Sequence, residues 1–180
     1  MKRLIAYSSI AHIGLMCAAI FSNQSIGMQG VMIQLFNHGI NIIGLWIVAD
    51  VIEQQFGTRK FSELGGLAQK MPALAMLFMI MVLANIALPL TNSFVGEFLM
   101  FNALFRYNFW IAAVAMISVI LAAVYTLNMF QKIFYGSTTG FTANVKDSSK
   151  NVQLMLTVLT ILILIFGVYP QPMLLSLIHI

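Results

Sequence analysis

ALPLTNSFVGEFLM, residues 87–100, interrupts an apolar run that extends from about residue 72 to 106. A straight helix of about 35 residues would reach about 52 Å, against a hydrocarbon core of about 30 Å. Pro89 removes a backbone donor and crowds the preceding turn. Thr91, Asn92 and Ser93 follow at once, residue types whose side chains cap free N–H groups at the start of a helix. The pattern predicts two half-helices, about 72–87 and 93–106, joined by an unwound LPLTN. Irregular backbone at that depth is tolerated only where protein or a watery cavity satisfies it.

The flanking sequence fits a bilayer. Of the 180 residues, 61% are hydrophobic and 8% charged, with a mean hydropathy of +0.94. A soluble domain carries about 25% charged residues, so this chain could not cover a water-facing surface. Further apolar runs of spanning length lie at roughly 4–22, 28–52, 110–134 and 152–172, separated by loops rich in Gly, Ser, Thr and Asn. The expected fold is all-α: a polytopic transmembrane helical bundle of about five spans, one of them broken, forming a single membrane domain over 1–180.

With that topology the N-terminus and the 53–71 and 135–151 loops share one side. Lys2, Arg3, Arg59, Lys60, Lys70, Lys132, Lys146 and Lys150 fall there, and only Arg106 falls opposite. The positive-inside bias puts the N-terminus in the cytoplasm and the C-terminus on the far side. The net charge of +4 is scattered between apolar runs and makes no patch for nucleic acid. Cys17 is the single cysteine, expected as a small packing residue, which leaves no internal disulfide and no iron–sulfur ligand set. No glycine-rich phosphate loop is present. The start MKRLIAYSSIAHIGLMCAA has the look of a signal peptide, but His12, Ser8 and Ser9 break its apolar core and further spans follow. A first membrane helix is expected there instead of a cleaved leader.

Three ionisable residues fall inside the spans: His12, His38 and Glu97. Counted along their helices, all lie near mid-membrane, where a packed bundle can bring them together. Charge is costly in that setting, so such residues are candidate functional sites by default. Bland alternatives stand beside this. Glu97 could pair with a backbone donor or with another chain's cation. His38, in the string Gln34, Asn37, His38, Asn41, could join helices by hydrogen bonds alone, and His12, beside Ser8 and Ser9, could do the same. Two histidines at matched depth could also be axial ligands of a b-type haem, and a plain structural anchor would need none of the three. Asn85 and Asn102 are expected to satisfy the broken backbone, and Gly14 and Ala18 to form a small-residue packing stripe.

KRLIAYSSIAHIG, VMIQLFNHGINIIGLW, LGGLAQKMP, LANIALPLTNSFVGEFLMF and FGVYPQP together resemble the antiporter-like subunits of complex I, the proton-translocating NADH–quinone oxidoreductase. The resemblance covers nearly the whole chain. It implies the last five helices of a fourteen-helix subunit, with the first broken helix of the family upstream of residue 1. A complete proton path would then need a longer chain or another polypeptide, and the ending LLSLIHI is abrupt for the family. The family places a key ionisable residue after its second break, and Glu97 in FVGEF matches the glutamate form of that position. His12 in A-H-I-G and His38 in N-H-G match histidines associated with a hydrated central axis. The implied function is proton translocation coupled to electron transfer in partner subunits, with Glu97, His38 and His12 carrying protons. Flavin, iron–sulfur clusters and quinone would then lie in those partners, with none in this chain. A bacterial inner membrane is the implied location. A cation/proton antiporter or membrane-bound hydrogenase subunit of the same ancestry is the nearest alternative.

Overall fold

The computed structural model describes residues 1–58, 61–137 and 147–177. The described elements are helical: α1 (Lys2–Phe21), α2 (Ser25–Phe56), a single 3-10 turn (Phe61–Glu63), α3 (Leu67–Lys70), α4 (Pro72–Asn85), α5 (Asn92–Tyr107), α6 (Phe109–Phe134), α7 (Lys150–Val168) and α8 (Gln171–Leu177). Helices α1, α2, α6 and α7 are each long and apolar enough to cross a membrane. At 14 and 16 residues, α4 and α5 are about 21 and 24 Å long and form the broken span between them. The last span is shorter than expected. It ends at Val168 instead of 172, because Pro170 restricts Tyr169 to non-helical backbone.

Contacts at the loops fix which termini share an end. The 32 residues of α2 run about 48 Å, and its last turns extend past the apolar layer. There Lys2 Nζ lies 2.9 Å from both Asp50 Oδ1 and Glu53 Oε2. Gly66 N donates to Tyr135 O (3.1 Å), and Ala73 N donates to Asp147 Oδ2 (3.1 Å). The starts of α1, α4 and α7 therefore lie with the ends of α2 and α6. Lys2, Arg3, Lys70, Lys132 and Lys150 gather at this end, and Arg106 stands in the last turn of α5 at the other. Arg59, Lys60, Lys146 and the tail 178–180 lie outside the described residues.

Two apolar clusters bracket a polar layer. The larger packs Leu45, Val48, Phe78, Met81, Ile133 and Phe134 toward the lysine-rich end. The smaller joins Leu15, Met16, Val31, Met100 and Leu104. Between them α2 and α5 run antiparallel, almost backbone to backbone. A Cβ added at Gly30 would lie 2.9 Å from Gly96 O, Leu99 Cβ and Met100 N, and one at Gly27 would lie 2.9 Å from Ala103 Cβ. This seam replaces the small-residue stripe expected at Gly14, whose Cβ position is open space. Cys17 is exposed and not packed inside.

The break at 86–91 is held by left-handed backbone and by contacts whose partners the sequence did not show. Ala87 (φ 54°) and Leu90 (φ 77°) adopt left-handed backbone, which costs about 1–2 kcal/mol for a residue with a Cβ. Thr91 Oγ1 donates to Leu88 O at 2.7 Å, so it turns back into the break and does not cap α5. Asn37 Nδ2, from α2, donates to Asn92 O at 2.8 Å. Gly167 of α7 presses on Leu90 O and Thr91 C so closely that a Cβ would overlap them. Neither expected asparagine serves the broken backbone with its side chain. Asn85 Nδ2 donates to Ser8 Oγ at 3.0 Å, and Asn102 Oδ1 accepts from Arg106 Nε at 2.9 Å.

Candidate functional site

Helical spacing brings the polar residues onto facing stripes. Ser8 and His12 are one turn apart on α1, and Gln34, Asn37 and Asn41 are spaced to share one face of α2. That face meets Asn92, Ser93 and Glu97 of α5. Asn41 Nδ2 donates to Ser93 Oγ (2.7 Å), and Gln34 Nε2 donates to Glu97 Oε1 (3.4 Å). Every one of these side chains is buried, so each unmet group would carry a desolvation cost of about 1–3 kcal/mol.

His12 is the hub. Its Nδ1 lies 2.8 Å from Ser8 O. Its Nε2 lies 3.1 Å from Asn85 O and 3.3 Å from Glu97 Oε1. Both ring nitrogens thus face acceptor oxygens. A neutral imidazole can satisfy one of them and a doubly protonated ring both. The His38 ring stacks obliquely on His12, with centroids 5.0 Å apart and planes at 32°. The three residues expected from the sequence are therefore brought together in the order His38, His12, Glu97.

Glu97 is two-sided. Oε1 faces His12 and Gln34, whereas none of the described hydrogen bonds reaches Oε2. On its other side the carboxylate borders an open cleft of about 710 Å³ between α5 and α6. Phe94, Phe98, Phe101 and Phe105 form one wall, and Asn102 and Arg106 lie along it. A void of about 10 Å³ bounded by His12, Asn85, Glu97 and Ser118 is near the size that admits one water. Gln34 Oε1, Asn37 Oδ1, Asn41 Oδ1 and Asn85 Oδ1 are buried acceptors without a protein partner. Of these four residues, Asn85 lines that void, where a bound water would find an acceptor. Among the described residues no group of three or more His, Cys, Asp or Glu gathers as a metal site.

The Asn85 carbonyl was not legible as a site member, because every residue has one and only the break exposes this one. Gln34 stood in the polar string without an assigned target, and its partner across the seam depends on register alone.

Residues 1–124 match the family described as NADH:quinone oxidoreductase/Mrp antiporter, TM. The chain is 38% identical over 178 residues to NADH-quinone oxidoreductase subunit M of Rhodobacter capsulatus, covering 95% of this chain and 34% of that protein. Against subunit M of Rickettsia prowazekii it is 36% identical, covering 96% and 35%. It spans about a third of the length of these curated relatives. Among solved structures, respiratory complex I from Thermus thermophilus with bound NADH superposes with a TM-score of 0.86 and 32% identity, over 98% of this chain and 39% of that one. The Mrp complex from Dietzia sp. DQ12-45-1b shares the fold, with a TM-score of 0.85 and 19% identity over 94% and 40%.

Proposed function

The chain belongs to the NADH:quinone oxidoreductase/Mrp antiporter transmembrane family, and on that premise we propose that it carries the exit-side half of a proton-translocating subunit of respiratory NADH–quinone oxidoreductase. The observation that carries this reading is the 3.3 Å approach of His12 Nε2 to Glu97 Oε1 beside the broken helix. A proton passes from His12 to Glu97 when the Nε2–H bond breaks and an Oε1–H bond forms. The ring is left neutral, with Nδ1–H still donating to Ser8 O. His38, its ring centroid 5.0 Å from that of His12, is the next carrier and refills His12 through a bridging water. The carboxyl group then turns about its last bond, so that the same O–H bond faces the cleft leading toward Arg106 and breaks there to release the proton.

Several features support this over the alternatives. Two axial haem ligands would have to stand on opposite faces of a porphyrin, whereas the two imidazoles here are in contact and both His12 nitrogens have protein partners. A structural anchor has no use for a buried carboxylate aligned with two histidines. Relatives 36–38% identical are named as NADH-quinone oxidoreductase subunit M, and this favours the respiratory complex over an antiporter. On this reading flavin, iron–sulfur clusters and quinone reside in partner subunits. Other membrane subunits and lipid surround the chain in a bacterial inner membrane, and the lysine-rich end faces the cytoplasm by the positive-inside bias.

The test is NADH-driven proton uptake by inverted membrane vesicles carrying the assembled complex, wild type against Glu97→Gln. Loss of uptake with assembly intact is expected. Uptake at the wild-type rate would remove Glu97 from the path.

A further inference from the structure

We infer that Gln34 is a positioning residue for Glu97, one whose amide serves the carboxylate in both its charged and its protonated form. The inference rests on the proton-carrier reading of Glu97 and adds a residue to it. Gln34 is completely buried, and its Nε2 lies 3.4 Å from Glu97 Oε1. Its own Oε1 has no partner. The amide lies flat against α5 because residue 96 is glycine: a Cβ there would fall 2.6 Å from Gln34 Oε1 and 2.9 Å from its Cβ. Gly96 is thus the seat that lets the amide reach the next residue along.

A proton carrier changes its hydrogen-bonding demand with every cycle. As a carboxylate it only accepts; as an acid it also donates through O–H. A lysine or arginine beside it would suit the first state alone. A glutamine amide offers a donor at one end and an acceptor at the other, in nearly the same shape. Turning about its last bond exchanges the two within nearly the same final volume. Gln34 therefore presents Nε2–H to the anion and, turned over, its now unpaired oxygen to the acid's O–H. Neither state of Glu97 is left with an unmet buried group at Oε1.

The other groups around Glu97 leave this role to Gln34. From α1 the titratable neighbour is His12, with His38 of α2 behind it. Helix α4 supplies Asn85, and α6 supplies Ser118 and Val119. Helix α7 carries no titratable side chain between residues 151 and 168, and Arg106 stands farther along the cleft.

The test compares wild type, Gln34→Met, Gln34→Asn and Glu97→Gln in the assembled complex. Two quantities are read: the pH profile of NADH-driven proton uptake, and the infrared band of the protonated carboxyl C=O. The Glu97 band is identified as the one missing from Glu97→Gln. Gln34→Met keeps the side-chain length without donor or acceptor, and Gln34→Asn withdraws the amide by one methylene. Both are expected to displace the Glu97 band and to move the uptake profile by about one pH unit, the scale of one hydrogen bond to a charged group. An unmoved band and profile in an assembled variant would overturn the inference, and if Gln34→Met fails to assemble, Gln34→Asn decides it. Abolished uptake in Glu97→Gln with both Gln34 variants like wild type sinks Gln34 alone. Wild-type uptake in Glu97→Gln sinks the carrier reading beneath it.

Discussion

Replacing Gly30 by alanine adds one methyl group about one helical turn, or about 6 Å along the axis, before Gln34 on α2, and it should uncouple the site. The new Cβ would meet Gly96 O, Leu99 Cβ and Met100 N at 2.9 Å, where ordinary contact begins at 3.4 Å. Two of these three atoms are backbone, so no side chain can swing aside and α5 must retreat by about 0.5 Å. The hydrogen bonds to Glu97 Oε1 already stand at 3.3 and 3.4 Å. The same retreat carries them beyond about 3.6 Å, where a hydrogen bond is no longer made. Overpacking of this kind costs about 1–3 kcal/mol of stability. A misplacement of about 1 Å can cost about 10²-fold in rate, so half of that predicts roughly a tenfold loss of proton uptake per NADH oxidised. Gly39→Ala, on the same helix with nothing within 4 Å of its Cβ position, is the control and should couple normally. Equal coupling in the two assembled variants would refute the claim that the α2–α5 seam sets the distances at the site.

His12→Gln keeps a donor toward one acceptor but cannot bind and release a proton at neutral pH. Uptake should fall by at least about 10²-fold, the usual contribution of a positioned acid–base group, while native gels show the complex assembled. Leu90→Gly should raise the thermal midpoint of the assembled complex by relieving about 1 kcal/mol of left-handed backbone strain, since the Leu90 side chain is 67% exposed and packs little. A lowered midpoint would mean that the break is not strained there. Asn37→Ala removes the donor to Asn92 O and should cost about 1–3 kcal/mol, read as a lower midpoint in detergent.

The break and the identity of the ionisable residues were legible because each violates a local rule. A proline with a polar triplet cannot continue an apolar helix, and histidine and glutamate are costly in a bilayer. Five spans followed from length alone. What stayed hidden depends on which faces meet. Gly14 and Gly30 look alike in sequence, but only Gly30 has a backbone pressed against it. Ala87 and Leu90 are poor candidates for left-handed backbone, and they adopt it because the chain must turn between two anchored half-helices. Asn85 was credited through its side chain, whereas its carbonyl oxygen is what His12 meets. The end of the last span was overrun because hydropathy carried the expectation past Pro170.

One ring touches both halves of the broken span. His12 Nε2 reaches the Asn85 carbonyl at the end of α4 and the Glu97 carboxylate on α5, at nearly equal distances. A single proton placed there has two competing destinations, and the angle between the half-helices decides between them. Closing toward Asn85 keeps the proton on the ring, hydrogen-bonded to an amide oxygen that is too weak a base to take it. Closing toward Glu97 delivers it. A shift of a few tenths of an ångström between the half-helices would be enough to change which acceptor the N–H faces, so the imidazole ties proton transfer to the geometry of the break. A nitrogen-15 label at His12 would read through its N–H coupling, in the intact membrane, whether Nε2 keeps the proton or has passed it on.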